Sequence, residues 1–142
     1  MKYALAAFAL ASLALSACGE EGPTAPDEPL TSVIGAAATG AIFTVTVDDA
    51  RPDPPIRGDL NGWSFSLTRD GEPVTGCTIE AEPTMPSHGH GTNPNPTTVE
   101  LGEGRYEMRP LNFIMPGVWH VAIRPTCETQ TDEIVLIVDI ES

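Results

Sequence analysis

Between residues 41 and 140 apolar and polar residues alternate with a period of two, interrupted by short clusters of Gly, Pro, Asn and Asp. Phe43, Val45 and Val47 fall on one face of a segment spanning 41–47. Trp63, Phe65 and Leu67 do the same in 62–69, and Cys77, Ile79 and Ala81 in 74–81. Such alternation predicts strands with one buried and one wetted face. Segments 97–101 and 105–114 predict two more strands, joined through Gly102-Glu103-Gly104; Tyr106, just past that turn, either packs in the core or anchors the corner through its hydroxyl. Residues 118–124 place Trp119, Val121 and Ile123 inward, with His120 outward between them. The run Ile134 to Val138 is apolar throughout, which predicts a strand buried on both faces. Prolines 52, 54 and 55 break pairing across 48–59, and Asp70-Gly71 is a turn signal. Seven short strands with no helical period outside the N-terminus predict an all-β, immunoglobulin-like antiparallel sandwich over 41–142.

The N-terminus follows other rules. Lys2 precedes an apolar run from Ala4 to Ala14, too short to span a bilayer as a mature helix. The run ends in Leu15-Ser16-Ala17-Cys18, the pattern of a bacterial lipobox, so 1–17 is expected to be a lipoprotein signal peptide and Cys18 the lipidated residue. The alternative is an ordinary signal peptide cleaved near Ala17, leaving a stray cysteine. Lipid chains anchor a soluble domain through buried methylenes, each contributing about 0.8 kcal/mol. Gly19 rather than Asp follows the cysteine, so a Gram-negative source would hold the protein at the outer membrane, facing the periplasm. Residues 18–40 are rich in Gly, Pro, Ala, Thr and acid, and read as a disordered tether.

About 100 residues remain for one domain with a modest core. The chain carries a formal charge of −13 and its only lysine is Lys2, which excludes a basic nucleic-acid footprint. The acid excess serves solubility and is compatible with attracting cations. Of three cysteines, Cys18 belongs to the lipid; Cys77 and Cys127 form an even pair, which in an oxidising compartment points to a disulfide. A thiolate metal pair and two unpaired thiols are the alternatives.

The candidate chemistry lies in Met85-Pro86-Ser87-His88-Gly89-His90-Gly91 and in a second turn, Met115-Pro116-Gly117. Prolines stiffen the loop and glycines permit close approach. A His-x-His pair offers two imidazole nitrogens to one ion, and neutral thioether sulfur selects copper over hard cations. Met85, His88, His90 and Met115 are therefore the candidate ligands, with His120 a more distant outer one. The competing reading has His88 fixing the turn by hydrogen bonds while Met85 and Met115 fill core. An enzyme is the least supported class: no Gly-x-Ser-x-Gly elbow is present, both domain cysteines read as paired, and Glu80 and Glu82 near the histidines read as solvated strand-face carboxylates.

The order Gly58-Asp59-Leu60-Asn61-Gly62-Trp63, Asp70-Gly71-Glu72-Pro73-Val74, the Met-Pro-Ser-His-Gly-His-Gly loop, Gly104-Arg105-Tyr106 and Met115-Pro116-Gly117-Val118-Trp119 resembles the YtkA-like domain over about 41–140. The resemblance implies a small exported β-sandwich, often lipid-anchored and similar to FixH-like domains associated with copper handling and oxidase assembly. It carries Met85, His88, His90 and Met115 as motif residues. The chain departs from that pattern in its Cys77 and Cys127 pair and in the longer Asn93-Pro94-Asn95-Pro96 segment. The expected function is a membrane-anchored extracytoplasmic copper-binding domain, with an envelope protein or copper acceptor as partner. The alternative is a non-metal interaction or structural module presenting a rigid His-Gly-His loop.

Overall fold

The structure, a computed structural model, describes residues 28–142. The proposed signal segment, Cys18 and the first part of the tether lie outside the described residues. Eleven strands follow in order: β1 (Ala37–Thr39), β2 (Thr44–Arg51), β3 (Gly58–Arg69), β4 (Glu72–Pro73), β5 (Thr78–Met85), β6 (His90–Gly91), β7 (Thr97–Gly102), β8 (Arg105–Phe113), β9 (Gly117–Cys127), β10 (Gln130–Thr131) and β11 (Ile134–Ile140). One sheet runs β1-β2-β3-β8-β7, with β4 also on β3; the other joins β10, β9, β5 and β6, with β11 on β9. All strand pairs are antiparallel. The seven main strands thus divide as first-second-fifth-fourth against third-sixth-seventh, the order of an immunoglobulin constant-type sandwich.

The alternation that predicts the strands also selects the core. Phe43, Val45, Trp63, Phe65, Leu67, Trp119, Val121 and Ile123 are fully buried between the two sheets. Tyr106 takes both roles open to it: its ring stacks on Phe65 at 5.8 Å, while its hydroxyl donates to the Val74 carbonyl (3.0 Å) and accepts from the Cys77 amide (3.3 Å). Burial raises the Tyr106 pKa, and the nearby Glu100 charge adds to the rise. Cys77 and Cys127 are bonded, with Cα atoms 4.4 Å apart, one step beyond the pair Thr78 and Thr126 that ends the β5–β9 ladder.

Four expectations change. The break expected from Asp48 starts at Pro52 instead; a bulge at Asp48 lets β2 continue to Arg51, and the missing N–H of Pro52 then ends the ladder. β5 runs through Pro83 to Met85, so Met85 is a buried strand residue and not part of the loop. Proline is tolerated there because most of β5 forms a sheet edge. β11 is buried on one face only, with Val135 and Ile137 half-buried on the other, the outer face of its sheet. Finally, order begins before Ala41. Leu30 bridges Val138 in parallel, Val33 is fully buried, and the Val33 amide and Ser32 hydroxyl both donate to the Asp53 carboxylate. A few apolar residues spaced among prolines and acids suffice to dock this segment, although they set up no period.

Asp132 holds the end of the sandwich remote from the histidine loop. Its carboxylate accepts from the amides of Ala41, Ile42 and Phe43 at 2.8–3.0 Å and from Glu133 at 2.9 Å. Partial burial opposes ionisation, but these four donors outweigh it and hold the pKa below the ordinary value. A depressed native pKa contributes stability that is fully present above the unfolded value, near 4, and is lost as pH falls through the lower native value. Asp132→Asn is therefore expected to cost about 2 kcal/mol at pH 7. Urea unfolding should show the gap from wild type closing as pH drops below about 4; a gap independent of pH would exclude the charge as its origin.

Candidate metal site

β5 and β6 form a hairpin in which Met85 stands directly opposite His90 and Thr84 opposite Gly91. The four-residue loop between them, Pro86 to Gly89, is closed on the Met85 carbonyl, which accepts from the amides of His88 and Gly89, both at 3.0 Å. Gly89 turns the chain at φ +67°, which a residue with a side chain adopts only at a cost. Directly paired residues on antiparallel strands share a face, with Cβ atoms about 5 Å apart. Met85 is buried, and His90 beside it is half-buried, its ring edge-on to Trp119 at 5.9 Å between centroids. His88 is exposed at the loop tip, its ring 5.8 Å from that of His90.

The Nδ1 of His90 lies 3.3 Å from the Gly91 carbonyl oxygen. A carbonyl only accepts, so the neutral tautomer that makes this contact is the one with its proton on Nδ1, in which Nε2 is the nitrogen able to bind a metal. The second turn approaches from β9. Met115 is half-buried against the core, and its carbonyl accepts from the Trp119 indole N–H at 3.0 Å. Gly117 has φ +122°, and a Cβ there would come within 2.5 Å of the Met85 Cε, so the Met115-Pro116-Gly117 turn lies against the Met85 side chain.

Met85, His88 and His90 thus sit together on one hairpin, and the turn that carries Met115 reaches Met85 through Gly117. His120 is not among them: it pairs with Thr84 and Ile137, on the outer face of the sheet, because Trp119 and Val121 on either side point inward. Glu82 is bound by Arg124 at 2.7 Å, on the outer face as well. Among the described residues no three His, Cys, Asp or Glu side chains surround a common point. Thioether and imidazole are the donor types this hairpin and turn offer, a set chemically suited to a soft ion and poorly suited to magnesium or calcium. The bonded Cys77 and Cys127 are absent from the set; they lie at the opposite end of β5 and β9.

Two members of this site carry no signal of their own in the sequence. Trp119 reads as core, and only the hairpin register puts His90 on its edge. Gly117 reads as a turn residue, and its closeness to Met85 follows from packing between strands distant in the chain.

No characterised protein and no solved structure compared with this chain matches it. The profile of the YtkA-like family matches residues 39–124, from the end of β1 through most of β9, and so includes both methionine turns and both histidines. The chain belongs to the YtkA-like family.

Proposed function

We propose that this protein is a lipid-anchored extracytoplasmic domain that binds and hands on copper through Met85, His88, His90 and Met115. The observation that carries this reading is the pairing of Met85 with His90 on a closed hairpin, where the Met115-Pro116-Gly117 turn packs against Met85. The hairpin that carries Met85, His88 and His90 is closed by backbone hydrogen bonds before any ion arrives, which lowers the ordering cost of binding. Neutral ligands leave the charge of a monovalent ion uncompensated at the site, and the acidic surface offsets it at longer range. Such a site would take copper from one donor and release it to an acceptor in the envelope, with Cys18 as the lipid attachment.

Burial of Met85 dictates how this is tested. Met85→Ala would leave a cavity costing about 2–5 kcal/mol, whereas Met85→Leu removes the sulfur at nearly constant volume. In anaerobic Cu(I) titration against a competing chelator, Met85→Leu and Met115→Leu are each expected to weaken binding by about tenfold or more. His88→Ala, at an exposed position, should weaken it without loss of stability. The folded wild type should bind one equivalent of Cu(I) and show no competition from magnesium or calcium. A folded wild type that fails to compete for Cu(I) would refute the reading and leave the hairpin as a partner-facing turn.

A further inference from the structure

We infer that Trp119 is the positioning residue that couples the two halves of the metal site, so that ion binding at His90 and the placement of Met115 depend on one indole ring. This rests on the metal reading above.

Trp119 is fully buried on β9, yet it touches both ligand-bearing segments. Its ring meets the edge of His90 on the hairpin, and its N–H reaches back four residues to the Met115 carbonyl. That bond wraps residues 115–118 over the indole, which places Gly117 against the end of the Met85 side chain. Behind the ring, Phe113 packs edge-on at 5.6 Å and Trp63 follows at 6.2 Å from Phe113, so the indole is backed by rigid core. Trp63 provides an internal contrast: among the described residues its buried indole N–H meets no acceptor, whereas that of Trp119 donates at the site.

Packing alone would make Trp119 a core residue whose loss lowers stability and nothing else. Coupling predicts more. An ion on His90 Nε2 changes the field at a ring less than 6 Å away, centroid to centroid, and any adjustment of Met115 is transmitted to the indole N–H through its carbonyl. The removal of that N–H frees the Met115 turn, and the cost should appear in affinity through Met115.

The test uses the folded domain and Ag(I) as a redox-silent probe for a soft monovalent ion, with Cu(I) competition in parallel. In ¹⁵N-correlated spectra the Trp119 indole resonance, assigned with Trp63→Phe, should shift saturably with one equivalent of Ag(I), while that of Trp63 shifts far less. In the Trp63→Phe background the remaining Trp119 fluorescence should change over the same range. Trp119→Phe should weaken Cu(I) binding about tenfold or more, and combining it with Met115→Leu should add little beyond either change alone. Wild-type binding with an unmoved Trp119 resonance would overturn the inference while leaving the metal site standing. So would a folded Trp119→Phe variant of unchanged affinity. If Trp119→Phe does not fold, the Trp63→Phe titration decides the matter, because Trp119 is intact in it. Absence of any binding by the wild type would overturn both the inference and the reading beneath it.

Discussion

Replacing Cys77 and Cys127 together by alanine is expected to lower the stability of the domain by about 4 kcal/mol. The cross-link joins positions 50 residues apart, and in the chain-entropy view it removes from the unfolded ensemble the freedom of every strand from β5 to β9. A domain of this size has about 5–15 kcal/mol in total, so the loss is a large share, equivalent to a fall in midpoint of about 10–20 °C. Thermal or guanidinium unfolding of the double variant against the oxidised wild type measures it directly. Superimposable transitions would show that the cross-link constrains nothing the strands do not already hold. The same variant should keep its Cu(I) affinity while folded. Six steps of the β5–β9 ladder separate Thr78–Thr126 from Thr84–His120, about 20 Å along the strands, and changes that far apart add independently.

Asn61→Ala is expected to be nearly as damaging, at about 3 kcal/mol. Asn61 is the only buried polar residue among the described ones. Its carboxamide oxygen accepts from the Ile56 amide (2.9 Å), and its nitrogen donates to the carbonyls of Ile56 (2.7 Å), Gly58 (3.0 Å) and Leu111 (3.2 Å). These bonds stand in for the β3–β8 ladder where its register shifts on either side of Asn61. Alanine leaves those backbone groups without partners. Asn61→Asp should be worse than alanine at neutral pH, since a buried carboxylate would face three carbonyl oxygens; its deficit should ease in acid as the carboxyl gains a proton to donate. Urea unfolding of both variants at pH 7 and pH 5 distinguishes this from simple loss of volume: an aspartate variant milder than alanine would contradict it. Arg57, within the loop that Asn61 braces, donates to the Ile114 carbonyl at 3.2 Å. The damage should therefore extend to the turn that carries Met115.

The chain declares its faces but not its registers. Phe65 and Val45 are inward because each has a polar neighbour on either side, and this is visible in any window of five residues. The bonded pair Cys77 and Cys127 is likewise legible, as the two cysteines left once Cys18 is set aside as the expected lipid site. Asn61 is silent in the sequence, because one amide in a polar run has no period; its importance appears only when two strands fail to align. The candidate site divides in the same way. Its four proposed ligands are visible as residue types clustered with Pro and Gly. The opposition of Met85 to His90, the contact of His90 with Trp119 and the burial of Met85 follow from a hairpin register and from packing of strands more than 30 residues apart, where no local pattern reaches.

The parallel bridge between Leu30 and Val138 sets a direction of approach. At Leu30 the chain runs the same way as β11, so it arrives from the side of Ile134 and Cys127, and the hairpin lies toward the other end, beyond Gly117 and Ile140. With lipid on Cys18, the twelve residues up to Leu30 span at most about 40 Å. Drawn taut, such a tether would put the disulfide end toward the bilayer and the histidine hairpin away from it; left slack, it is long enough to let either end face the surface.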